Sequence, residues 1–290
     1  MRVHHAFMRI TISAAILLCA APAIAAAVSA PAVSAPATLD ASRQAVIKLV
    51  EQVRTADYEG DRAALARLYG ELAPYANDPA MGSRVLYWRG FALWRRVLNG
   101  FNDQVDSKEQ QSDLEQATKE FEAAAALDPK FADAKAAAAS CLGFLFYYYQ
   151  NDPDKLAQAR ARGGPLRKEA AEQDPDNPRY LWVMGTMLWY IPPDHGGGQD
   201  KSIAAYEKGL ASARRLRGTV TDPLEPSWGE PENLMGLALA NLNKTSPDLN
   251  VAEQDAQAAL AIVPNWHYVR DILMKQIHDA QAKAAGKTSP

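Results

Sequence analysis

Cysteine is nearly missing from this chain. Two occur in 290 residues. Cys19 falls in a leading segment that the sequence marks for removal, which leaves Cys141 alone. No intramolecular disulfide is then possible, so packing must hold the fold. Cys141 sits in the apolar run Cys141-Leu142-Gly143-Phe144-Leu145-Phe146 and reads as a small buried hydrophobe, not a reactive thiol.

Histidine is also scarce. Beyond residue 25 only His195, His267 and His278 remain. His267 and His278 lie about three helical turns apart, too far to share an ion. Neither HExxH nor CxxC occurs. These gaps argue against a transition-metal site, and no cofactor is expected. Charge of one sign is lacking too: the net charge is -3. Such a chain has no general pull toward nucleic acid or anionic lipid.

The sequence also lacks an apolar run long enough to span a bilayer. Ile10 to Ala21 is the longest at its start, short of the ~20 residues a spanning helix needs. Arg2 and Arg9 flank that run, Pro22 breaks it, and Ala23-Ile24-Ala25 has the small-x-small form of a cleavage site. Residues 1–25 therefore read as a secretory signal peptide, predicting a periplasmic or secreted product with no integral membrane span. Leu18 before Cys19 does not suit a lipoprotein signal. Residues 26–38, rich in Ala, Ser and Pro, read as a disordered tether. A folded domain is expected over 39–285, with a frayed tail at 286–290.

Runs of β-branched residues with period two are missing as well, whereas helical periodicity fills the chain after Leu39. Proline and glycine bracket the helices. The expected pairs are 41–57 with 61–73, 80–98 with 112–127, 131–149 with 154–173, 178–190 with 199–216, and 230–242 with 250–262. A last helix is expected over 266–284. The pattern predicts an all-α array of antiparallel helix hairpins closed by a C-terminal capping helix.

Internal repetition favours an array over a simple bundle. Ala117, Phe121, Ala124 and Pro129 form A-x3-F-x2-A-x4-P. Ser202, Tyr206 and Gly209 repeat the spacing, and Ala252, Ala256, Ala259 and Pro264 repeat it with alanine in the ring position. Small residues recur in the first helices at Gly90, Ala139, Gly185 and Gly236. This pattern resembles the tetratricopeptide repeat family. There the small residues let helices approach, the ring fills the wedge between hairpins, and proline stops the second helix. The spacing here exceeds the family's ~34 residues, with additions at 99–111, 150–160, 192–198 and 218–229. In the third unit, Gly163-Gly164-Pro165 departs from the pattern. HEAT-like repeats, at ~40–47 residues, are the structural alternative.

The resemblance implies a concave groove lined by first helices. Aligning Gly90, Gly185 and Gly236 as core positions places Arg84, Tyr87, Phe91 and Trp94, then Arg179, Trp182, Thr186 and Trp189, then Glu230, Asn233 and Leu237 on its inner face. The candidate partner-binding residues are thus Arg84, Tyr87, Trp94, Arg179, Trp182, Trp189 and Asn233, a mixture suited to recognition. Two other segments tempt a chemical reading. His195-Gly196-Gly197-Gly198 lacks the lysine-serine end of a phosphate loop and reads as a tight turn. Trp228-Gly229-Glu230-Pro231-Glu232 reads as a helix start, with Pro231 in the first turn and acids at the positive end. Asn265 reads as an N-cap, with Trp266 closing the array. No catalytic motif accompanies these segments, so an enzyme is not expected. The expected function is an exported scaffold binding a protein or peptide in its groove. The alternative is an accessory subunit of an envelope transport system, binding a small molecule. An open groove would favour the first and a deep pocket the second.

Overall fold

The structure, a computed structural model, describes residues 35–103 and 105–287. The expected signal peptide and most of the expected tether lie outside the described residues. Eleven α-helices and no strand occur among the described residues. They are α1 (Ala35–Glu59), α2 (Arg62–Glu71), α3 (Gly82–Asn99), α4 (Ser107–Leu127), α5 (Ala132–Tyr148), α6 (Pro153–Gln173), α7 (Pro178–Tyr190), α8 (Gln199–Arg215), α9 (Glu230–Asn243), α10 (Leu249–Ile262) and α11 (Met274–Lys287). Each odd helix from α1 to α9 packs antiparallel on the following even one, which makes the expected hairpin array. None of these helices is long and apolar enough to cross a membrane.

Local chemistry sets most boundaries. Asp61, Asp106, Asp152, Asn177 and Asp248 each accept a backbone N–H from the first turn of the helix they precede, meeting donors that the helix cannot satisfy itself. Asp106 starts α4 five residues before the expected position 112, because the aspartate caps it there. Helix α1 reaches back to Ala35, into the segment read as tether. Helix α6 continues through Gly163-Gly164-Pro165, so the eroded pattern there did not cost the helix. Asn265 does not cap: its amide donates to Glu59 Oε1 at 3.1 Å, and a π-helical turn at Tyr268–Leu273 leads into α11 instead.

The small-and-aromatic pattern does what the repeat spacing predicted. Phe121 is fully buried, and a Cβ on Gly90 would stand 3.0 Å from its ring. Tyr206 is wedged between two first helices: a Cβ on Gly185 or Gly236 would come within 2.4 or 2.5 Å of its ring. Cys141 is buried, and burial pushes its thiol well above the ordinary range. The His195-Gly196-Gly197-Gly198 segment is a tight turn, with Gly196 and Gly198 at φ 87° and 106°. Those are values that glycine adopts readily.

The two ends of the array meet. The Tyr58 hydroxyl in α1 donates to Glu232 Oε1 in α9 at 2.7 Å. Its ring also meets Trp266 edge-on, with centroids 5.2 Å apart. Trp266 is 2% exposed, so it closes the array by joining the last turn to the first hairpin.

Candidate functional site

The first-helix surface expected to form a groove is occupied by the chain itself. The connection from α8 to α9, residues 216–229, is held against α3 and α7. Leu224 and Trp228 on this connection are buried. Leu224 O accepts from Trp88 Nε1 at 2.8 Å. The Trp228 ring lies 5.7 Å from Phe91, 6.1 Å from Trp94 and 5.7 Å from Trp182. Such ring contacts add ~0.5–1.5 kcal/mol each beyond the area they bury.

The residues predicted to line a groove grip this connection. Arg84 Nε donates to Glu225 at 2.7 Å and its Nη1 to Asp128 at 2.7 Å. The Tyr87 hydroxyl accepts from Trp228 Nε1 at 2.9 Å. Arg179 Nη1 donates to Trp228 O at 3.1 Å, while its other side pairs with Asp133. Asn233 Nδ2 donates to Gly229 O at 2.6 Å and Pro178 O at 3.0 Å. Trp94 packs against both Trp182 and Trp228. Arg84, Tyr87, Trp94, Arg179 and Asn233 thus meet the chain's own connection. Tyr87, Trp94 and Asn233 are completely buried. Trp182 and Trp189 differ, because both also line a cavity beside the connection.

That cavity measures about 590 Å³. Helix α3 contributes Arg95, Leu98 and Asn99, followed by Phe101 and Asn102 from the next turn; α5 contributes Phe144. Helix α7 presents Trp182, Thr186, Trp189 and Tyr190 along one face. Tyr206 of α8, a stretch of α9 from Met235 to Asn243, and Trp266 with Tyr268 complete the wall. Gly236 lies on this wall, where the absent side chain lets Tyr206 close in. Rings dominate the surface, with amide side chains from Asn99, Asn102, Gln199 and Asn243 among them. Tyr190 and Phe101 stand exposed as well as lining the space, which marks its mouth.

Arg95 is the only charged residue among the described residues of the lining. It is 3% exposed, with its Nε donating to both oxygens of Asp57 at 2.8 Å. Phe91, Trp94, Trp182 and Trp228 surround its guanidinium, with centroids 5.3 to 5.9 Å from the central carbon. Burial opposes its charge, yet Asp57's charge and hydrogen bonds outweigh that and raise its pKa. Glu232 stands in the same buried cluster. Its Oε2 accepts from Gly229 N at 2.7 Å and its Oε1 from Tyr58, so it does cap α9 as its position suggested. Burial nevertheless pushes its carboxyl upward, against the pull of Arg95. Glu230 turns outward to Arg217 at 2.5 Å.

Sequence reasoning missed Arg95 and Trp228. A tryptophan in a connection rich in proline and glycine was the available signal for the latter, since a ring of that size is seldom left fully in water. Arg95 carried none beyond its place after Trp94.

No family model matches the chain, and no curated protein matches it. Among solved structures it is similar to the HusA haemophore from Porphyromonas gingivalis. The two are 21% identical with a TM-score of 0.43, over 68% of this chain and 93% of that chain.

Proposed function

We propose that this protein is a non-catalytic binding protein holding one small, largely apolar molecule in the cavity between α3, α7 and α9. The occupied first-helix surface carries this reading. A peptide laid along the first helices would have to displace Leu224 and Trp228, both buried, whereas the neighbouring aromatic cavity of about 590 Å³ remains. Concave, mostly apolar spaces with a few fixed polar groups are the usual form of small-molecule sites. On this reading the small-molecule alternative replaces the peptide-groove scaffold.

The wider context is an exported protein of the tetratricopeptide type serving uptake or delivery across an envelope. The leading Arg-apolar-Ala-x-Ala segment and the small-and-aromatic repeat support that context. The lining supports binding without chemistry: among its described residues the one that is charged is already held by Asp57, and the rest are rings, amides, hydroxyls and aliphatic groups.

The test is saturable binding of the neutral fluorophore Nile red to the purified chain, read by energy transfer from tryptophan. One-to-one binding is expected, and Leu239→Trp, which fills the cavity from α9, should abolish it with little change in Tm. A wild-type chain that binds no dye saturably would overturn the reading.

A further inference from the structure

Three residues of the cavity wall are held by the last turn of α1. Asp57, 2% exposed, accepts from Arg95 Nε through both carboxylate oxygens at 2.8 Å. Asn99 Nδ2 donates to Asp57 O at 3.0 Å and to Asp57 Oδ1 at 3.1 Å. The Tyr58 ring meets Trp266 edge-on, with centroids 5.2 Å apart. Arg95, Asn99 and Trp266 line the cavity, whereas Asp57 and Tyr58 do not.

The neighbouring contacts come from the same place. Glu59 Oε1 accepts from Asn265 Nδ2 at 3.1 Å. A Cβ on Gly60 would stand 2.9 Å from His267 Cδ2, so the segment around Trp266 rests directly on the end of α1. The Tyr58 hydroxyl donates to Glu232 Oε1 at 2.7 Å, one helical turn before the lining residue Gly236. The wall therefore draws on α3, α9 and the segment after α10, which are far apart in sequence. The end of α1 touches all three. A site assembled from separate pieces keeps its geometry only when groups outside it fix those pieces.

We propose that Asp57 and Tyr58 are positioning residues of this cavity. The end of α1 sets the places of Arg95, Asn99 and Trp266, so ligand affinity depends on that end being seated. By linkage, a bound ligand holds it seated in return. This rests on the small-molecule reading above and adds what fixes the shape of the site.

Tyr58→Phe and Tyr58→Leu separate positioning from mere support. Both variants lose the bond to Glu232, but only Tyr58→Leu loses the ring that meets Trp266. Nile red is titrated into the full chain at a temperature where each variant is folded. Tyr58→Phe should bind it within about threefold of wild type and Tyr58→Leu about tenfold more weakly, a coupling of ordinary size. Emission of the bound dye should shift to the red in Tyr58→Leu alone, as water enters past Trp266. Amide hydrogen exchange reads the same coupling in the unaltered chain. Nile red should slow exchange in residues 54–59 more than in α6, which supplies none of the described lining residues. If Tyr58→Leu does not fold, the exchange result decides. Affinity that falls equally in both variants, in step with Tm, would overturn the positioning role and leave the cavity reading intact. Exchange in residues 54–59 that ignores the dye would do the same. A wild-type chain that binds no dye saturably would overturn the cavity reading, and this proposal with it.

Discussion

Trp228 Nε1 donates to the Tyr87 hydroxyl across 141 residues of sequence at 2.9 Å. This bond pins the α8–α9 connection to α3. Trp228→Ala should cost ~3–5 kcal/mol in chemical denaturation, as a large buried ring gives way to a cavity. Tyr87→Phe removes only the acceptor and should cost ~1–3 kcal/mol, because the indole N–H is then left unpaired. A loss below about 1 kcal/mol for Trp228→Ala would mean that the connection is not held against α3 in solution.

The ring of Tyr206 sets the distance between α7 and α9. A Cβ at Gly185 or Gly236 would come within 2.4 or 2.5 Å of it. Gly185→Ala should therefore destabilise by ~1–3 kcal/mol through overpacking, despite alanine's better helix propensity. In a Tyr206→Leu background the added penalty of Gly185→Ala should shrink, since the clash partner is gone. Equal penalties in both backgrounds would show that the two sites do not couple.

The Arg95–Asp57 pair is buried on both sides, with side-chain exposures of 4% and 3%. Asp57→Leu alone should cost ~3–5 kcal/mol by urea unfolding, because it strands a buried guanidinium. The double change Asp57→Leu/Arg95→Met should cost much less than the two single changes together. Additive losses would mean that the ion pair is not coupled as its geometry indicates.

Asp255 supplies a prediction in pH. Burial raises its carboxyl from 3.8 to about 6, opposed in part by Asn241. A folded pKa above the unfolded one favours the fold when the group is protonated. That stability is full below about 3.8 and is lost as pH rises through about 6. Asp255→Asn should then stabilise the protein at pH 7 by on the order of 1 kcal/mol, the full shift being discounted for the solvent that still reaches this half-buried side chain. At pH 3.5 the gain should vanish. Thermal melts of both chains at the two pH values decide it, and an equal difference at each would rule out the titration.

Much of the local order was readable from residue types. Asn177 and Pro178 start α7 as side-chain cap and first-turn proline, and Phe121 and Tyr206 fill the wedges opposite Gly90 and Gly185. These relations depend on spacings of a few residues or on one hairpin, and spacing is visible in a sequence. The alignment also grouped Arg84, Tyr87, Trp94, Arg179 and Asn233, and all five lie against the α8–α9 connection. What they touch was not readable. Their partners are Glu225, Trp228 and Gly229, most of them dozens of residues away or more, and only the curvature of the stacked hairpins brings those groups together.

Residue types and their spacing set the helices and their pairing into hairpins, because caps, breakers and small-and-aromatic periodicity act within one or two turns or one hairpin. Packing across the whole chain brings the ends of the array together at Tyr58, Glu232 and Trp266, and lays the long connection against α3 and α7 beside a ring-lined cavity at Arg95. Those outcomes follow from how small twists between successive hairpins accumulate. The sum over five hairpins fixes which distant residues can touch, and no single stretch of the chain carries it.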